Sequence, residues 1–143
     1  MKNPNVLGFY GESGSGKTSL VVKLIKKLSK EGYSIAAVKI TDKKIGVDKK
    51  GKDTWKYAKA GSKLAILSSP VETDFMLKEN TDIDNILKQI NNFESYDFVF
   101  IEGANDKKTK KIRLGNMKER DNTILSYKGD FESLMQFVKK TRM

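Results

Sequence analysis

The stretch from residue 11 to residue 18 constrains the fold of this chain more than any other feature. It reads Gly-Glu-Ser-Gly-Ser-Gly-Lys-Thr and fits the phosphate-binding pattern G-x-x-x-x-G-K-S/T at every specified position. Its glycines allow a tight turn in which backbone N–H groups converge on phosphates, and the N-terminus of the following helix adds its positive dipole end. Lys17 is predicted to reach the β- and γ-phosphates, and the Thr18 hydroxyl is predicted to bind Mg²⁺.

The sequence on either side of this motif supplies the strand–loop–helix setting that it requires. An apolar run over residues 6–10 predicts a buried strand, and apolar residues at helical spacing predict a helix from about residue 17 to residue 30. A glycine-rich turn that binds nothing is the alternative, and the context on both sides disfavours it. The predicted nucleotide-binding residues are Gly11, Glu12, Ser13, Gly14, Ser15, Gly16, Lys17, Thr18 and Ser19.

The rest of the chain alternates between strand and helix patterns. A second strand at residues 34–40 completes a strand–helix–strand unit, whose two strands should be parallel. Further strands are predicted at residues 64–67, 71–77, 98–101, 112–114 and 123–127, and further helices at 53–59, 83–90 and 131–138. We therefore predict an α/β fold of the three-layer P-loop NTPase type, with a mostly parallel central sheet and helices on both faces. A single nucleotide-binding domain is expected over residues 1–143.

An acidic residue ends the most apolar run of the chain. Phe98–Ile101 predicts a central strand buried on both faces, and Glu102 and Gly103 follow it directly. P-loop proteins usually carry an acidic residue at such a strand end, where it holds Mg²⁺ directly or through water. Glu102 is therefore the predicted Walker B residue, and it joins Lys17 as a predicted catalytic residue. The alternative is a strand-end carboxylate without a metal. Asp97 opens the same strand and is expected at its opposite end, outside the site.

The charged loop at residues 41–52 offers a third oxygen ligand. Switch segments of P-loop proteins often occupy this position after the second strand, where they order around the γ-phosphate and Mg²⁺. Asp48 is our first choice among the acidic residues of the loop, and the alternative is that these acids only offset the neighbouring lysines. The predicted metal ligands are Thr18, Asp48 and Glu102.

Composition narrows the chemistry of the site and the class of partner. The chain has no cysteine and no histidine, which excludes a disulfide, a thiolate zinc site and the commonest general base. A metal would therefore be a hard cation on oxygen ligands, which favours Mg²⁺. The formal net charge of +10 favours anionic partners. No apolar run approaches the length of a membrane span, and a strand near residue 5 leaves no room for a signal peptide, so we expect a cytoplasmic protein.

Four blocks of the sequence, in this order, resemble the MobB family. They are the phosphate loop with its helix, the end of the second strand, a D-x-x-G-K-D-S/T segment, and the strand that ends in the Glu-Gly pair. Together they extend over roughly residues 5–115, so the resemblance is much more specific than the phosphate loop alone. Outside the phosphate loop, the matching residues are Val38, Lys39, Asp48, Gly51, Lys52, Asp53, Thr54, Ala60, Gly61, Asp97, Glu102, Gly103, Lys111 and Ile112.

The resemblance implies a GTP-binding accessory protein of molybdenum cofactor biosynthesis. Such a protein would bind GTP with Mg²⁺, hydrolyse it weakly, and assist a guanylyltransferase partner in forming molybdopterin guanine dinucleotide from an anionic pterin cofactor. The resemblance also implies a homodimer. The family usually has histidines just after the position of Lys39, whereas this chain has Ile40, Asp42 and Lys43 there.

Two other functions use parts of the same sequence. A small kinase using ATP would share the phosphate loop, but such kinases usually need several arginines and a closing lid, and arginine is scarce here. A nucleic-acid-binding protein would use the basic tracts at residues 43–52 and 107–113, but these lack interleaved aromatic residues. Both alternatives are therefore less well supported than an accessory protein.

The residue that would read the nucleobase is not evident from the sequence. The usual guanine-reading tetrapeptide N/T-K-x-D is absent, and the nearest candidate is Asp130 in Tyr-Lys-Gly-Asp. An aspartate just before an apolar helical stripe is a common capping signal, so we interpret Asp130 as a helix N-cap. The choice of GTP over ATP therefore depends on the resemblance.

Overall fold

The computed structural model describes residues 4–142, and its strands and helices alternate as the sequence predicts. In chain order the elements are β1 (Asn5–Tyr10), α1 (Lys17–Lys30), β2 (Ile35–Lys39), α2 (Asp53–Lys59), β3 (Leu64–Ser68), β4 (Thr73–Leu77), α3 (Ile83–Phe93), β5 (Phe98–Glu102), β6 (Lys110–Leu114), β7 (Thr123–Tyr127) and α4 (Phe131–Thr141). Among the described residues, no helix combines the length and the apolar character that crossing a membrane requires.

These elements form two compact units. One unit consists of the chain up to Thr41 together with the chain from Leu87 onwards, and it contains β1, β2, β5, β6 and β7. The other unit, Asp42–Ile86, contains α2, β3 and β4. The helix α3 begins in the second unit and continues into the first. A single nucleotide-binding domain over residues 1–143 stays a prediction.

The first unit is built on a five-stranded sheet with the order β2-β5-β1-β6-β7, and every neighbouring pair in it is parallel. Parallel strands need crossover connections, and α1 provides the one between β1 and β2. Because parallel strands all end at the same edge of a sheet, the loop after β1 meets the ends of β5 and β6 there. The predicted α/β fold with a mostly parallel central sheet and helices is confirmed.

One face of this sheet carries the main hydrophobic core. Leu7 and Phe9 of β1, together with Phe98 and Phe100 of β5, are fully buried in a cluster with residues of α1 and α4. The helix residues of this cluster recur at helical spacing, and they are Leu20, Val21, Leu24, Leu28, Phe131, Leu134, Met135 and Val138. Burying an apolar side chain of this size contributes about 1.5–3 kcal/mol. The core therefore anchors α1, whose first residues belong to the phosphate motif, against the sheet.

The opposite face of β1 is covered by the segment that follows β5. A Cβ at Gly8 would lie 2.7 Å from the Cβ of Ala104 and 3.3 Å from a methyl carbon of Thr109, so glycine allows this segment to approach closely. Val99 and Ile101 of β5 point to this same face and are fully buried. The prediction that the strand at residues 98–101 is buried on both faces is confirmed.

The second unit contains a two-stranded sheet of its own, so the strands predicted at residues 64–67 and 71–77 form outside the central sheet. Within residues 4–142, β3 and β4 pair with each other alone, antiparallel, with Leu64 opposite Leu77 and Ser68 opposite Thr73. A tight turn joins them, in which the Ser69 N–H donates to the Glu72 carbonyl at 3.0 Å. Such a short connection joins only antiparallel neighbours, because parallel neighbours need a crossover of about a dozen residues or more.

Candidate nucleotide-binding site

Two glycines give the loop between β1 and α1 a backbone conformation that other residues rarely adopt. Gly14 and Gly16 adopt φ angles of 81° and 91°, in the left-handed region that residues with a Cβ rarely occupy. Gly16 is also the N-cap of α1, and because no side chain caps this helix its first N–H groups keep their donor capacity. The first turn of α1 contains no acidic residue that would repel an anion.

A buried hydroxyl without a partner points into this loop. The Ser15 Oγ atom is buried and has no hydrogen-bond partner among the described residues. A Cβ at Gly11 would lie 2.7 Å from Ser15 Oγ and 2.7 Å from the Leu114 carbonyl oxygen, so no side chain fits there. Buried polar groups in folded proteins are nearly always paired. An anion accepting from Ser15 and from the helix N-terminus would satisfy these donors, so the loop fits a phosphate group.

The Lys17 side chain folds back across the loop. Its ammonium group donates to the Gly11 carbonyl at 2.9 Å and to the Glu12 carbonyl at 3.2 Å. These are two neutral acceptors, and a phosphate oxygen would be a stronger, charged acceptor for the same ammonium group. The lysine is therefore held at the loop where the sequence predicts it.

The structure brings Thr18 and Glu102 together. The Thr18 hydroxyl donates to Glu102 Oε1 at 2.6 Å, and the glutamate residue is only 8% exposed. The chain turns sharply after Glu102, since Gly103 has a φ angle of 89° and a Cβ there would lie 2.5 Å from the Ile40 carbonyl oxygen. The Gly103 N–H donates to the Phe9 carbonyl at 2.8 Å, which fixes the turn to the central strand. The Glu-Gly pair thus places a carboxylate beside the first turn of α1.

Asp48 lies in the second unit and is engaged in an ion pair there. Its carboxylate accepts from Lys78 Nζ at 2.9 Å and from Thr54 Oγ1 at 2.8 Å. The hydrogen bond from Lys78, followed by the one from Thr54, holds the pKa of Asp48 below its ordinary value. Lys78 lies 30 positions from Asp48 in the sequence, and no local pattern predicts this pair. Among the described residues, no three acidic side chains cluster closely enough to hold a metal ion by themselves.

Asp97 lies where the sequence predicts it, before β5 and away from the Glu102 end of that strand. Its carboxylate accepts from the Ser34 N–H at 2.9 Å and from the Arg142 guanidinium. The hydrogen bond from the Ser34 N–H lowers the pKa of Asp97 most, and Arg142 lowers it further. Together they outweigh burial, which raises it, so the pKa lies below its ordinary value. This residue ties β5 to the turn before β2 and to the end of α4.

A cavity of about 380 Å³ opens beside the phosphate loop. It is lined by Ser15, Gly16, Ser19, Leu20, Lys23, Leu114, Gly115 and Tyr127. These residues come from the loop, from α1 and from the ends of β6 and β7, and none of them carries a carboxylate. The loop side of this cavity is predicted from the sequence, whereas Leu114, Gly115 and Tyr127 are not among the predicted site residues. Their position at the ends of two predicted parallel strands is the signal that could have found them.

Asp130 caps α4, as predicted, and does not line the cavity. Its carboxylate accepts from the Ser133 N–H at 3.1 Å and from the Ser133 hydroxyl at 2.7 Å. These two bonds hold the pKa of Asp130 below its ordinary value, and the bond from the hydroxyl has the larger effect. The interpretation of Asp130 as a helix N-cap is confirmed.

The basic tract at residues 107–113 is not a uniformly solvated surface. Lys111 has no exposed surface, and its ammonium group donates to the carbonyls of Thr109 at 3.0 Å and Asp121 at 2.6 Å, and to that of Asp106. Arg113 donates to Ser126 Oγ at 3.1 Å. Two of the basic groups in this tract therefore make hydrogen bonds within the protein: Lys111 joins the segments after β5 and β6, and Arg113 joins β6 to β7.

A family model for MobB, described as molybdopterin guanine dinucleotide synthesis protein B, matches residues 6–139. The chain belongs to the MobB family. The match extends from β1 into α4, so it includes the phosphate loop, Asp48 and the Glu-Gly pair that ends β5.

Three curated relatives support the assignment to MobB. A protein of Methanocaldococcus jannaschii is 34% identical over 122 residues, which cover 84% of this chain and 50% of that protein. The molybdopterin-guanine dinucleotide biosynthesis adapter protein of Haemophilus influenzae is 33% identical over 111 residues, covering 76% of this chain and 62% of its own length. The Escherichia coli adapter protein of the same name is 31% identical over 113 residues, with 76% and 64% covered. This MobB-family chain thus spans between half and two thirds of these relatives.

Solved MobB structures share the fold. The crystal structure of Bacillus subtilis MobB superposes with a TM-score of 0.76 at 16% identity and covers 96% of this chain and 97% of that one. The crystal structure of molybdopterin-guanine biosynthesis protein B gives 0.68 at 22% identity, covering 96% and 98%. Similarity at these identities shows the fold, which is the P-loop NTPase-like parallel sheet described above.

Proposed function

We propose that this MobB-family protein binds GTP and Mg²⁺ at the loop of residues 11–18 and acts as an accessory protein in forming molybdopterin guanine dinucleotide. The observation that carries the nucleotide part is the hydrogen bond from Thr18 to Glu102, which joins the phosphate loop to the strand-end carboxylate. The unpartnered Ser15 hydroxyl and the uncapped N-terminus of α1 support it, because both leave donors for phosphate oxygens.

Each part of the loop has its own role in this proposal. The N–H groups of the loop and of the first turn of α1 donate to phosphate oxygens, apart from that of Ser15, which donates to the Glu12 carbonyl at 3.0 Å. Lys17 exchanges its two carbonyl acceptors for the β- and γ-phosphates. Thr18 and Glu102 hold Mg²⁺, whose remaining ligands come from the nucleotide and from water. The bound ion supplies positive charge beside the phosphates. Asp48 is retained as a third proposed metal ligand, and this role requires it to leave Lys78.

Guanine is proposed as the base because the chain belongs to the MobB family. This choice is separate from the proposal that the loop binds a nucleotide. The cavity beside the loop offers the Tyr127 ring and apolar surface from Leu114, but no carboxylate that could accept from a guanine edge. A competition titration of GTP against ATP, with Mg²⁺ present, tests the choice of base. Equal affinities for the two nucleotides would leave nucleotide binding intact and remove the preference for guanine.

The accessory role is proposed from the names of the curated relatives and from charge. Two of those relatives are named adapter proteins of molybdopterin-guanine dinucleotide biosynthesis. A guanylyltransferase that acts on an anionic pterin cofactor is the partner that such a role requires, and a net charge of +10 suits anionic partners. Assembly as a homodimer and a cytoplasmic location belong to the same proposal.

Hydrolysis of GTP is proposed to be slow. An arginine that stabilises the charge of the transition state accelerates P-loop GTPases by several orders of magnitude. Here Arg113 and Arg120 donate to groups of their own chain, and Arg142 pairs with Asp97 away from Glu102. The sequence contains no evident residue to orient an attacking water molecule either, so we expect weak turnover.

The decisive experiment removes the loop lysine and compares it with a lysine on the outer face of the same helix. Lys17→Ala should weaken GTP binding, measured by calorimetric titration with Mg²⁺, by at least about tenfold, because a charge-assisted contact to phosphate is lost. Lys26→Ala removes the same charge from an exposed position of α1 and should bind as the wild type does. Binding by Lys17→Ala that equals wild-type binding would overturn the proposed site.

A further inference from the structure

Arg120 reaches the turn that follows Glu102 from the segment between β6 and β7. Its Nη1 atom donates to the Ala104 carbonyl at 2.9 Å and makes a longer contact of 3.5 Å with the Gly103 carbonyl. Its guanidinium carbon lies 4.9 Å from the centre of the Tyr10 ring, close enough for a cation–π contact. One side chain thus contacts the residues directly after Glu102 and the residue directly before Gly11.

A closed ring of hydrogen bonds fixes the main chain of Arg120. Its N–H donates to the Tyr10 hydroxyl at 2.9 Å, and its carbonyl accepts from Thr123 Oγ1 at 2.7 Å. The Tyr10 and Thr123 hydroxyls lie 2.6 Å apart. The single hydroxyl hydrogen of Thr123 is donated to the Arg120 carbonyl, so in the bond between the two hydroxyls Tyr10 is the donor and Thr123 the acceptor. Tyr10 is only 1% exposed, and the three hydrogen bonds are partly buried.

The charge of Arg120 is not matched by an acidic side chain. Within residues 4–142, no carboxylate forms an ion pair with this guanidinium, which bonds main-chain carbonyls instead. Arg113 likewise bonds neutral groups, namely Ser126 and the Met117 carbonyl, whereas Arg142 pairs with Asp97. Among the described residues, Arg120 is therefore the arginine whose contacts adjoin both Glu102 and the phosphate loop, and it has no carboxylate partner.

We propose that Arg120 is a positioning residue for the magnesium half of the site. It holds the turn at Gly103 and Ala104, where a glycine at positive φ gives the backbone freedom, and so keeps Glu102 directed at Thr18. Among the described residues, the Arg120 side chain bonds the Gly103 and Ala104 carbonyls, whereas Lys17 bonds the Gly11 and Glu12 carbonyls. Loss of Arg120 therefore weakens metal binding while leaving the phosphate cradle intact. This inference depends on the proposed nucleotide function.

The experiment measures GTP affinity with Mg²⁺ and with EDTA in matched variants. Arg120→Met keeps the length of the side chain but loses every donor, and it should lower the apparent Mg²⁺ affinity of the GTP complex about tenfold or more, as loss of a group supporting metal ligands does. Affinity in EDTA should change by less than about twofold. Arg120→Lys can still donate to one carbonyl and should recover part of the loss.

Two further variants separate positioning from a general loss of stability. Arg113→Met removes the same charge from a neighbouring half-buried arginine and should leave the Mg²⁺ dependence unchanged. Tyr10→Phe keeps the ring but breaks the hydrogen-bond ring around Arg120, so it should shift the Mg²⁺ dependence in the same direction as Arg120→Met, by a smaller factor. If Arg120→Met does not fold, Arg120→Lys and Tyr10→Phe still give the comparison.

The possible outcomes are distinct. A wild-type Mg²⁺ dependence in Arg120→Met, or equal effects of Arg120→Met and Arg113→Met, overturns the role of Arg120 alone. An equal loss with Mg²⁺ and with EDTA also overturns it, since a positioning role for the metal predicts a difference. Failure of the wild-type protein to bind GTP under either condition overturns the proposed function itself.

Discussion

The Thr18 hydroxyl donates a hydrogen bond of 2.6 Å to the Glu102 carboxylate across 84 positions of the chain. The two side chains come from the first turn of α1 and from the end of β5, so the parallel sheet, rather than any local motif, brings them together. We propose that this hydroxyl and this carboxylate supply two of the six oxygen ligands of an octahedral Mg²⁺ ion, and that nucleotide oxygens and water supply the others.

Neutralising this carboxylate tests its metal role directly. Glu102→Gln keeps the size of the side chain and an acceptor for Thr18 but removes the charge that attracts Mg²⁺. At a fixed GTP concentration, the half-saturating Mg²⁺ concentration should rise about tenfold or more. Glu94→Gln, at an exposed carboxylate just after α3, is the control and should not move it. A half-saturating concentration that is the same in Glu102→Gln and wild type would assign Glu102 a structural role only.

The turn after Glu102 should tolerate no side chain. Gly103→Ala must adopt a φ angle of 89° and also place its Cβ 2.5 Å from the Ile40 carbonyl oxygen. Gly129→Ala adopts a φ angle of 99° but meets no atom within 4 Å. The strained backbone alone costs about 1–2 kcal/mol, so Gly129→Ala should lose that much free energy of unfolding in urea. Gly103→Ala should lose at least about 3 kcal/mol, because the clash is with backbone. Equal losses in the two variants would contradict the steric argument.

Much of the fold and the loop could be predicted because the signals are local. The glycine pattern, the apolar run before it and the helical stripe after it lie within about two dozen residues, and each element appears where it is predicted. The position of Glu102 at the same edge also follows from sequence, because parallel strands end together. Asp130 is a cap for the same local reason.

The remaining features depend on partners that are distant in sequence. Asp48 pairs with Lys78, and Arg120 contacts Tyr10 and Ala104, yet no periodicity marks these pairs. A charged residue in a basic tract looks exposed in sequence, so a buried lysine could not be recognised. The separate β3–β4 sheet could have been anticipated from its short turn, but the alternation of strands and helices favoured one sheet.

The ion pair between Asp97 and Arg142, just before β5, should make the free energy of unfolding depend on pH. The pKa of Asp97 is held below its ordinary value of about 3.9 by the Ser34 N–H and Arg142. A carboxylate with a lowered pKa in the folded state contributes stability above the pKa of the unfolded state, and this contribution is lost as the pH falls through the folded-state pKa. Wild type should therefore unfold more readily as the pH drops below about 4.

Comparison with an amide isolates this contribution from the other carboxylates. Asp97→Asn should be less stable than wild type at pH 7, since it loses the charge opposite Arg142. The difference in free energy of unfolding, measured in urea at several pH values, should shrink as the pH falls below about 4, where Asp97 becomes protonated. A difference that stays constant from pH 7 to pH 2.5 would show that the Asp97 carboxylate adds no pH-dependent stability.

The buried lysine of β6 should be far more sensitive to substitution than its neighbour. Lys111 has no exposed surface, and its ammonium group donates to the carbonyls of Thr109, Asp121 and Asp106. Lys111→Met fills the same space but leaves these acceptors without a donor, so it should cost about 3 kcal/mol or more of unfolding free energy. Lys110→Met, one position away and exposed, should stay within about 0.5 kcal/mol of wild type. Similar losses in the two variants, measured by urea denaturation, would mean that Lys111 does not hold the segments after β5 and β6 together.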